Sequence, residues 1–267
     1  MIRIAARRVA LFGGVYSNHL ALAATLADAA AAGAEHAVCL GDMGAFGPYP
    51  DRSCEIVRRA GIPVVQGNYD HSLGHGFPDC RCGYTDPRDN AYAALSYRYT
   101  FARTAPAHRR WLRGLPTEIR ISLSGREVLL CHGSPRRTNE FLWESACSDA
   151  FLGWLLDECG ADTLCVTHTG LPWARELPGG RSVVNVGAIG RPTNDGDPRV
   201  VYAILTAADN GGAPAVDWRR VTYDHSALAT EIRDEGLPEE FAETIETGWW
   251  TTCLEVLPMK ERARGRH

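Results

Sequence analysis

Residues 37–42 read Ala-Val-Cys-Leu-Gly-Asp, an apolar run that stops abruptly at a carboxylate. Three later apolar runs stop in the same way, at Asn68, His132 and His168. Short apolar runs bounded by turn residues are typical of buried strands. In open α/β sheets the carboxyl ends of the strands gather along one edge, where ligands bind. A carboxylate, an amide and two imidazoles at that edge predict a divalent-metal site with nitrogen and oxygen ligands.

Each of these residues taken alone has an ordinary structural explanation. An Asp that follows a Gly at a strand end is usually a turn residue or a helix cap. A lone His is more often a satisfied structural group than a metal ligand. Four such endings in one chain favour a shared site over four separate structural roles.

The rest of the chain alternates short β-like runs with helical stretches. Strands are predicted at residues 4–12, 36–40, 62–65, 118–122, 127–131, 163–166, 173–176, 182–186, 200–207 and 215–221. Helices are predicted at residues 21–32, 52–60, 91–97, 106–115, 149–159, 226–235 and 238–247, with Asn18 as the cap of the first. With no repeat and no linker, we expect one α/β domain over residues 1–253, a loop over the site at 71–90 and a flexible basic tail at 254–267.

Composition excludes several classes of function. The chain has 267 residues, of which 45% are apolar and 22% charged, as in ordinary globular proteins. No apolar run approaches the roughly 18 residues that a membrane-spanning helix needs. A formal charge of −4 argues against capture of nucleic acid or anionic lipid. We therefore expect a small-molecule substrate, no nucleic acid and no membrane partner, while a homo-oligomer stays open.

The nine cysteines are an odd number and are scattered along the chain, which is not the pattern of a disulfide framework. Several lie inside apolar runs, where a free thiol packs as a small core side chain, so a reducing cytoplasm is the predicted compartment. The pair Cys80 and Cys82 stays open. Either both are inert cysteines in a surface loop, or one of them supplies a thiolate that reaches the site.

Taken together, the strand-end motifs resemble those of the calcineurin-like metallophosphoesterase superfamily, over roughly residues 9 to 248. The family's Gly-Asp, Gly-Asn-His-Asp, His-Gly-Ser-Pro and Gly-His-Thr-His elements correspond to residues 41–42, 67–70, 132–135 and 167–170. A later Asn-x-Gly element corresponds to residues 185–192. The resemblance implies a four-layer α/β/β/α sandwich of two mixed sheets, with the site at the strand ends.

The departures from the family pattern fall in one half of its two-metal centre. Family members open with Asp-x-His, both ligands of the first metal, and the corresponding residues here are Gly14 and Tyr16. The second His of Gly-His-Thr-His, another first-metal ligand, is Gly170. The ligands that the resemblance assigns to the second metal are all present, namely Asp42, Asn68, His132 and His168. We expect one Mn, Fe or Zn ion at these four residues and no second metal.

One metal still supplies a Lewis acid and lowers the pKa of bound water, so we expect a hydrolase that acts on a small-molecule phosphoester. Two alternatives remain. The chain is a mononuclear metalloenzyme with other chemistry, or it is a catalytically silent ligand-binding or regulatory protein on this fold.

Side chains beside the motifs are the candidates for catalysis and substrate binding. Tyr69 replaces the family's His, which serves as general acid, and Asp70 is also interpreted as a residue that orients a neighbour. The catalytic candidates are Tyr16, Tyr69, Asp70 and His71, and His19 and His75 are further candidates for proton transfer. The set for substrate binding is Arg136, Arg137, Arg191, Asn18 and His19, with the arginines placed to hold a phosphate. Gly14 and Gly170 are expected to leave space for a bulkier substrate.

Overall fold

Two mixed β-sheets face each other in the computed structural model, which describes residues 3–209 and 211–265. In chain order the strands are β1 (Arg3–Ala6), β2 (Arg8–Phe12), β3 (His36–Cys39), β4 (Glu118–Leu123), β5 (Arg126–Cys131), β6 (Thr163–Val166), β7 (Pro172–Leu177), β8 (Arg181–Val186), β9 (Val200–Thr206) and β10 (Ala215–Val221). One sheet has the order β1-β4-β5-β6-β8-β7 and the other β10-β9-β2-β3. Both sheets combine parallel and antiparallel pairs.

Helices cover the outer faces of the two sheets. They are α1 (His19–Ala31), α2 (Pro50–Arg59), α3 (Asn68–His75), α4 (Pro87–Arg103), α5 (Pro106–Arg113), α6 (Asp149–Cys159), α7 (His225–Asp234), α8 (Glu239–Thr247) and α9 (Met259–Arg262). No helix within residues 3–209 and 211–265 is both long and apolar enough to cross a lipid bilayer.

Side chains that alternate in direction along each strand pack into different layers of the fold. In β2, Val9 and Leu11 belong to the core between the two sheets, whereas Phe12 belongs to the core beneath the helices. In β5, Leu130 faces the inter-sheet core and Leu129 packs with α6 on the opposite face. Because successive strand residues point to opposite faces, each sheet is buried on both sides. The predicted four-layer α/β/β/α sandwich of two mixed sheets is confirmed.

Two strand predictions are wrong in detail. The strand predicted at residues 4–12 is interrupted at Arg7, where the chain leaves β1 in one sheet and enters β2 in the other. Apolar pattern alone does not show a change of sheet, because apolar residues lie on both sides of the break. The strand predicted at residues 62–65 is reduced to a single bridge between Val64 and Cys39.

The segment predicted as a loop at residues 71–90 is helical at both ends. Helix α3 continues to His75 and α4 begins at Pro87, so only residues 76–86 lack helical structure. The flexible tail predicted at residues 254–267 is also wrong for its described part, residues 254–265. There α9 forms, and the buried Glu261 accepts hydrogen bonds from the backbone N–H and the hydroxyl of Ser145 at 2.9 and 2.6 Å.

Candidate metal centre

Three side chains with metal-ligand chemistry meet at the carboxyl ends of strands from both sheets. Asp42 follows β3, His132 follows β5 and His168 follows β6. All three are buried, and their ligand atoms lie within 4.8 Å of one another. His132 Nε2 lies 3.3 Å from Asp42 Oδ2 and 3.1 Å from His168 Nδ1. Ligands about 2.0–2.2 Å from a shared ion stand roughly 3 to 3.5 Å apart, which matches these distances.

Backbone carbonyls determine which imidazole nitrogens face the centre. His132 Nδ1 donates to Leu40 O at 2.7 Å, and His168 Nε2 donates to Cys82 O at 3.1 Å. A carbonyl oxygen only accepts, so these two nitrogens carry the protons of the neutral rings. When both rings are neutral, the lone pairs of His132 Nε2 and His168 Nδ1 face each other beside a carboxylate. This donor set fits a divalent cation, which relieves the repulsion between the lone pairs.

The protonation preferences of the two imidazoles differ. Burial opposes a charge on His132, but the Asp42 carboxylate outweighs burial and raises the pKa of His132. Burial, followed by the charge of His132, lowers the pKa of His168 to about 3. His168 therefore stays neutral at physiological pH, which leaves its Nδ1 lone pair available to a metal.

Asn68 supplies an oxygen beside this group. It is the first residue of α3, and its Nδ2 donates to Cys80 O at 2.9 Å and contacts Cys82 Sγ at 3.5 Å. Its Oδ1 is buried and has no hydrogen-bond partner among the described residues. A buried acceptor left without a partner costs about 1–3 kcal/mol, so a ligand is the expected role of this oxygen. The residues present thus fit a metal, with Asn68 joining the three buried ligands.

Asp70 holds the loop that carries Asp42. Its carboxylate accepts three backbone N–H hydrogen bonds, from Asp42 at 2.8 Å, from Met43 at 2.9 Å and from Gly67 at 2.9 Å. Burial and the nearby charge of Asp42 raise the pKa of Asp70 to about 6. A Cβ on Gly67 would clash with Asp42 Oδ1, so glycine is required at that close approach. The contacts of Asp70 are those of a positioning residue rather than of a catalytic group.

The other proton-transfer candidates lie in different surroundings. The hydroxyl of Tyr69 is hydrogen bonded to Ser96 Oγ at 2.8 Å, and its ring packs against Tyr97 in the helical layer. His71 Nδ1 donates to Gln66 Oε1 at 3.1 Å. Tyr69 is thus committed to the core, whereas His71 lies at the edge of a cleft.

That cleft, of about 460 Å³, connects Asn68 to solvent. His71, Arg136 and Arg137 line it, and so does Arg81, which sequence reasoning missed. Arg136 is partly neutralised by Glu140 at 3.1 Å. The charged residues of the lining are all arginines, although the whole chain is acidic. Arg81 could have been found from its position between two cysteines in the segment predicted to cover the site.

Asn18 and His19 are engaged elsewhere, and neither lines the cleft. Asn18 caps α1, because its Oδ1 accepts from Ala21 N at 2.9 Å, and its Nδ2 donates to Gly190 O at 3.3 Å. The cap predicted from the sequence is confirmed. The imidazole of His19 lies 3.6 Å from Glu231 and 3.2 Å from Arg52, in a charged cluster between helices.

Side chains fill the space beside Gly14 and Gly170, so the expectation of room for a bulkier substrate is wrong. A Cβ at Gly14 would lie 2.9 Å from Tyr16 Cζ. A Cβ at Gly170 would lie 3.5 Å from Arg191 Nη2 and 3.5 Å from Trp250 Cη2. Both glycines have positive φ, at 51° and 73°, so a side chain there would also strain the backbone.

A disulfide joins Cys80 and Cys82, the pair whose role the sequence left open, so neither supplies a free thiolate to the site. The carbonyl oxygens of the two cysteines accept from Asn68 and His168 respectively. Both side chains are buried rather than exposed on a surface loop. The loop therefore lies over Asn68 and His168 and orients their side chains through these hydrogen bonds.

The chain is similar to a known family of protein domains and to known proteins. A model of the calcineurin-like phosphoesterase superfamily domain matches residues 8–210. A protein of Methanocaldococcus jannaschii, the uncharacterized protein MJ0912, is 25% identical over 257 residues, which are 90% of this chain and 98% of that protein.

Two solved structures cover 91% of this chain and 99% of their own. They are a metallophosphoesterase from Sphaerobacter thermophilus, with 26% identity and a TM-score of 0.66, and the hypothetical protein PH1004 from Pyrococcus horikoshii OT3, with 21% identity and a TM-score of 0.76. The second supports the fold alone. Because the family match spans most of its length, this chain belongs to the calcineurin-like phosphoesterase superfamily.

Proposed function

We propose that this protein is a metal-dependent hydrolase of a small-molecule phosphoester that uses a single divalent ion, Mn, Fe or Zn. The observation that carries the proposal is the buried ligand group with its unpartnered amide oxygen. Gly14, Tyr16 and Gly170 stand where the family resemblance places ligands of the first metal. A single ion is proposed because, among the described residues, one group of three His, Cys, Asp or Glu side chains could hold a metal, namely Asp42, His132 and His168. The residues proposed to hold the ion are Asp42, Asn68, His132 and His168.

When bound, such an ion supplies a Lewis acid and lowers the pKa of a water molecule. The protein contributes binding and orientation. Arg136 and Arg137 lie on the cleft beside Asn68, where guanidinium groups hold a phosphate by paired hydrogen bonds. Burial, followed by the charge of His75, lowers the pKa of His71. His71 is therefore neutral near pH 7 and is the cleft residue proposed to accept a proton.

The proposed partner is a small molecule rather than nucleic acid or a membrane, because the cleft is small and the net charge of the chain is negative. The proposed compartment is the cytoplasm, because seven of the nine cysteines are free thiols. Proton transfer by Tyr16 or Tyr69 is proposed only for a substrate complex in which the side chains around them are rearranged.

A screen with stripped and reloaded protein tests this function. We expect turnover of at least one phosphomonoester or phosphodiester after reloading with Mn, Fe(II) or Zn, and loss of turnover on chelation. Asp42→Asn removes a ligand charge and should abolish turnover, whereas Asp234→Asn at an exposed position is the matched control. Metal uptake without phosphoester turnover would point to other chemistry. Biological activity that survives both Asp42→Asn and His168→Ala would point to a silent binding protein.

A further inference from the structure

Arg191 is a buried cation in an aromatic cage. Only 7% of its surface is exposed. Its guanidinium carbon lies 3.4 Å from the centroid of the Trp250 ring, with Phe46 at 5.4 Å and Tyr16 at 5.8 Å. The sequence shows an arginine after a glycine, but the cage around it is visible only in the structure.

The charge of Arg191 is not balanced within the described part of the chain. Its Nε is buried without a hydrogen-bond partner, and Arg191 takes part in none of the ion pairs found there. Contact with aromatic faces is worth about 2 kcal/mol when desolvated. Burying an unpaired charge costs several kcal/mol. The cage therefore offsets only part of the cost, and an anion is the missing partner.

The cation lies close to the chain segment that follows His168. Arg191 Nη2 is 3.5 Å from the Cβ position of Gly170, two residues after His168. Tyr16 connects the two, because its backbone N–H donates to Asp42 O at 3.1 Å. Burial raises the pKa of Tyr16, while the charge of Arg191 lowers it and that of Asp42 raises it. The hydroxyl of Tyr16 therefore lies within the field of both charges.

Hydrogen bonds hold the indole beneath the guanidinium and the backbone just before Arg191. Trp250 Nε1 donates to Pro192 O at 2.7 Å, and Trp250 N donates to Asn194 Oδ1 at 2.8 Å. The backbone N–H of Gly190 donates to Gly14 O at 2.7 Å. The indole ring and the backbone that leads into Arg191 are thus held in place before any ligand arrives, which lowers the entropy cost of binding.

We propose that Arg191 is a second positive centre of this site, which binds an oxygen of the phosphoryl group beside the metal ligands. The proposal rests on the proposed function and adds a catalytic residue to it. A guanidinium held flat on an indole presents a planar fork that suits a tetrahedral oxyanion, whereas lysine lacks that fork. The ligand it recognises is a phosphoryl oxyanion, either in the substrate or as inorganic phosphate.

Titration of inorganic phosphate into metal-loaded protein tests the role of Arg191. In Arg191→Gln we expect phosphate to bind about 10- to 100-fold more weakly, because one charge-assisted hydrogen-bonding group is lost. The metal content of the variant should be unchanged. The matched control is Arg175→Gln, because Arg175 also lies near an indole, that of Trp173, but is bonded to the carbonyl oxygens of Cys147 and Glu144. Its phosphate affinity should equal that of the wild type.

An affinity of Arg191→Gln within about twofold of the wild type would overturn the proposal. Thermal melting checks that each variant folds. Arg191→Lys is a second variant, because it keeps the positive charge and loses the planar fork. Its phosphate affinity should fall between those of the wild type and Arg191→Gln. Wild-type affinity in Arg191→Lys would also count against the proposal. Failure of the proposed function has a different signature, namely wild-type protein that binds phosphate through Arg191 and hydrolyses no phosphoester.

Discussion

Replacing His132 with alanine is expected to remove the bound metal and to abolish hydrolysis. His132 is central to the ligand group, since its Nε2 lies close to both Asp42 and His168. The variant loses one ligand and also leaves Leu40 O without its imidazole donor. Outer partners of metal ligands are typically worth 10–100-fold in affinity, so loss of the ligand itself should cost more than about 100-fold.

Elemental analysis of the dialysed variant checks this result, together with turnover at saturating metal. His36→Ala is the matched control, because His36 is an exposed imidazole at the start of β3. The control should keep wild-type metal content. A His132→Ala protein that retains a full equivalent of metal would show that the ion lies elsewhere.

Replacing Asp70 with alanine is expected to lower the free energy of unfolding by about 3 to 5 kcal/mol. The change leaves three buried backbone N–H groups without acceptors, at Asp42, Met43 and Gly67. Asp42 has a positive φ of 59°, so its loop depends on external support. Loss of that support should also weaken metal binding, although Asp70 is not itself a ligand.

Urea denaturation of the metal-free protein measures the effect of Asp70→Ala separately from metal binding. Asp70→Asn should lose less stability, because its amide oxygen still accepts part of the hydrogen bonding. Asp234→Ala, at an exposed position, should change stability by no more than about 0.5 kcal/mol. A wild-type unfolding midpoint in Asp70→Ala would contradict the positioning role.

The strand ends could be predicted from the sequence because buried strands leave strong apolar runs that turn residues interrupt. The structure brings Asp42, His132 and His168 together where those runs end. Adjacent parallel strands such as β5 and β6 place their final residues at one edge, so residues 36 positions apart become neighbours. The layer architecture followed from the family resemblance and is confirmed.

Side-chain direction could not be predicted in the same way. Asn68 and Tyr69 are adjacent in sequence but lie on α3, where successive side chains turn by about 100°. Asn68 therefore faces the metal group while Tyr69 enters the helical core. His19 likewise stands at the start of α1, where its Nε2 lies in a charged cluster with Glu231 and Arg52.

Long-range packing accounts for the remaining differences. Trp250 lies 80 residues after Gly170, and nothing in the local pattern shows that its ring and Arg191 fill the space beside that glycine. The pairing of Cys80 with Cys82 depends on a loop conformation held by Asn68 and His168. Both features result from tertiary contacts that residue spacing does not encode.

The number and position of bound metal ions test the central claim most directly. Anomalous scattering from crystals of the metal-loaded protein would locate every ion, and elemental analysis of the same sample would count them. The account predicts one ion per chain, in contact with Asp42, Asn68, His132 and His168, and the guanidinium of Arg191 beside it. Two ions per chain, or a single ion bound away from these four residues, would contradict it.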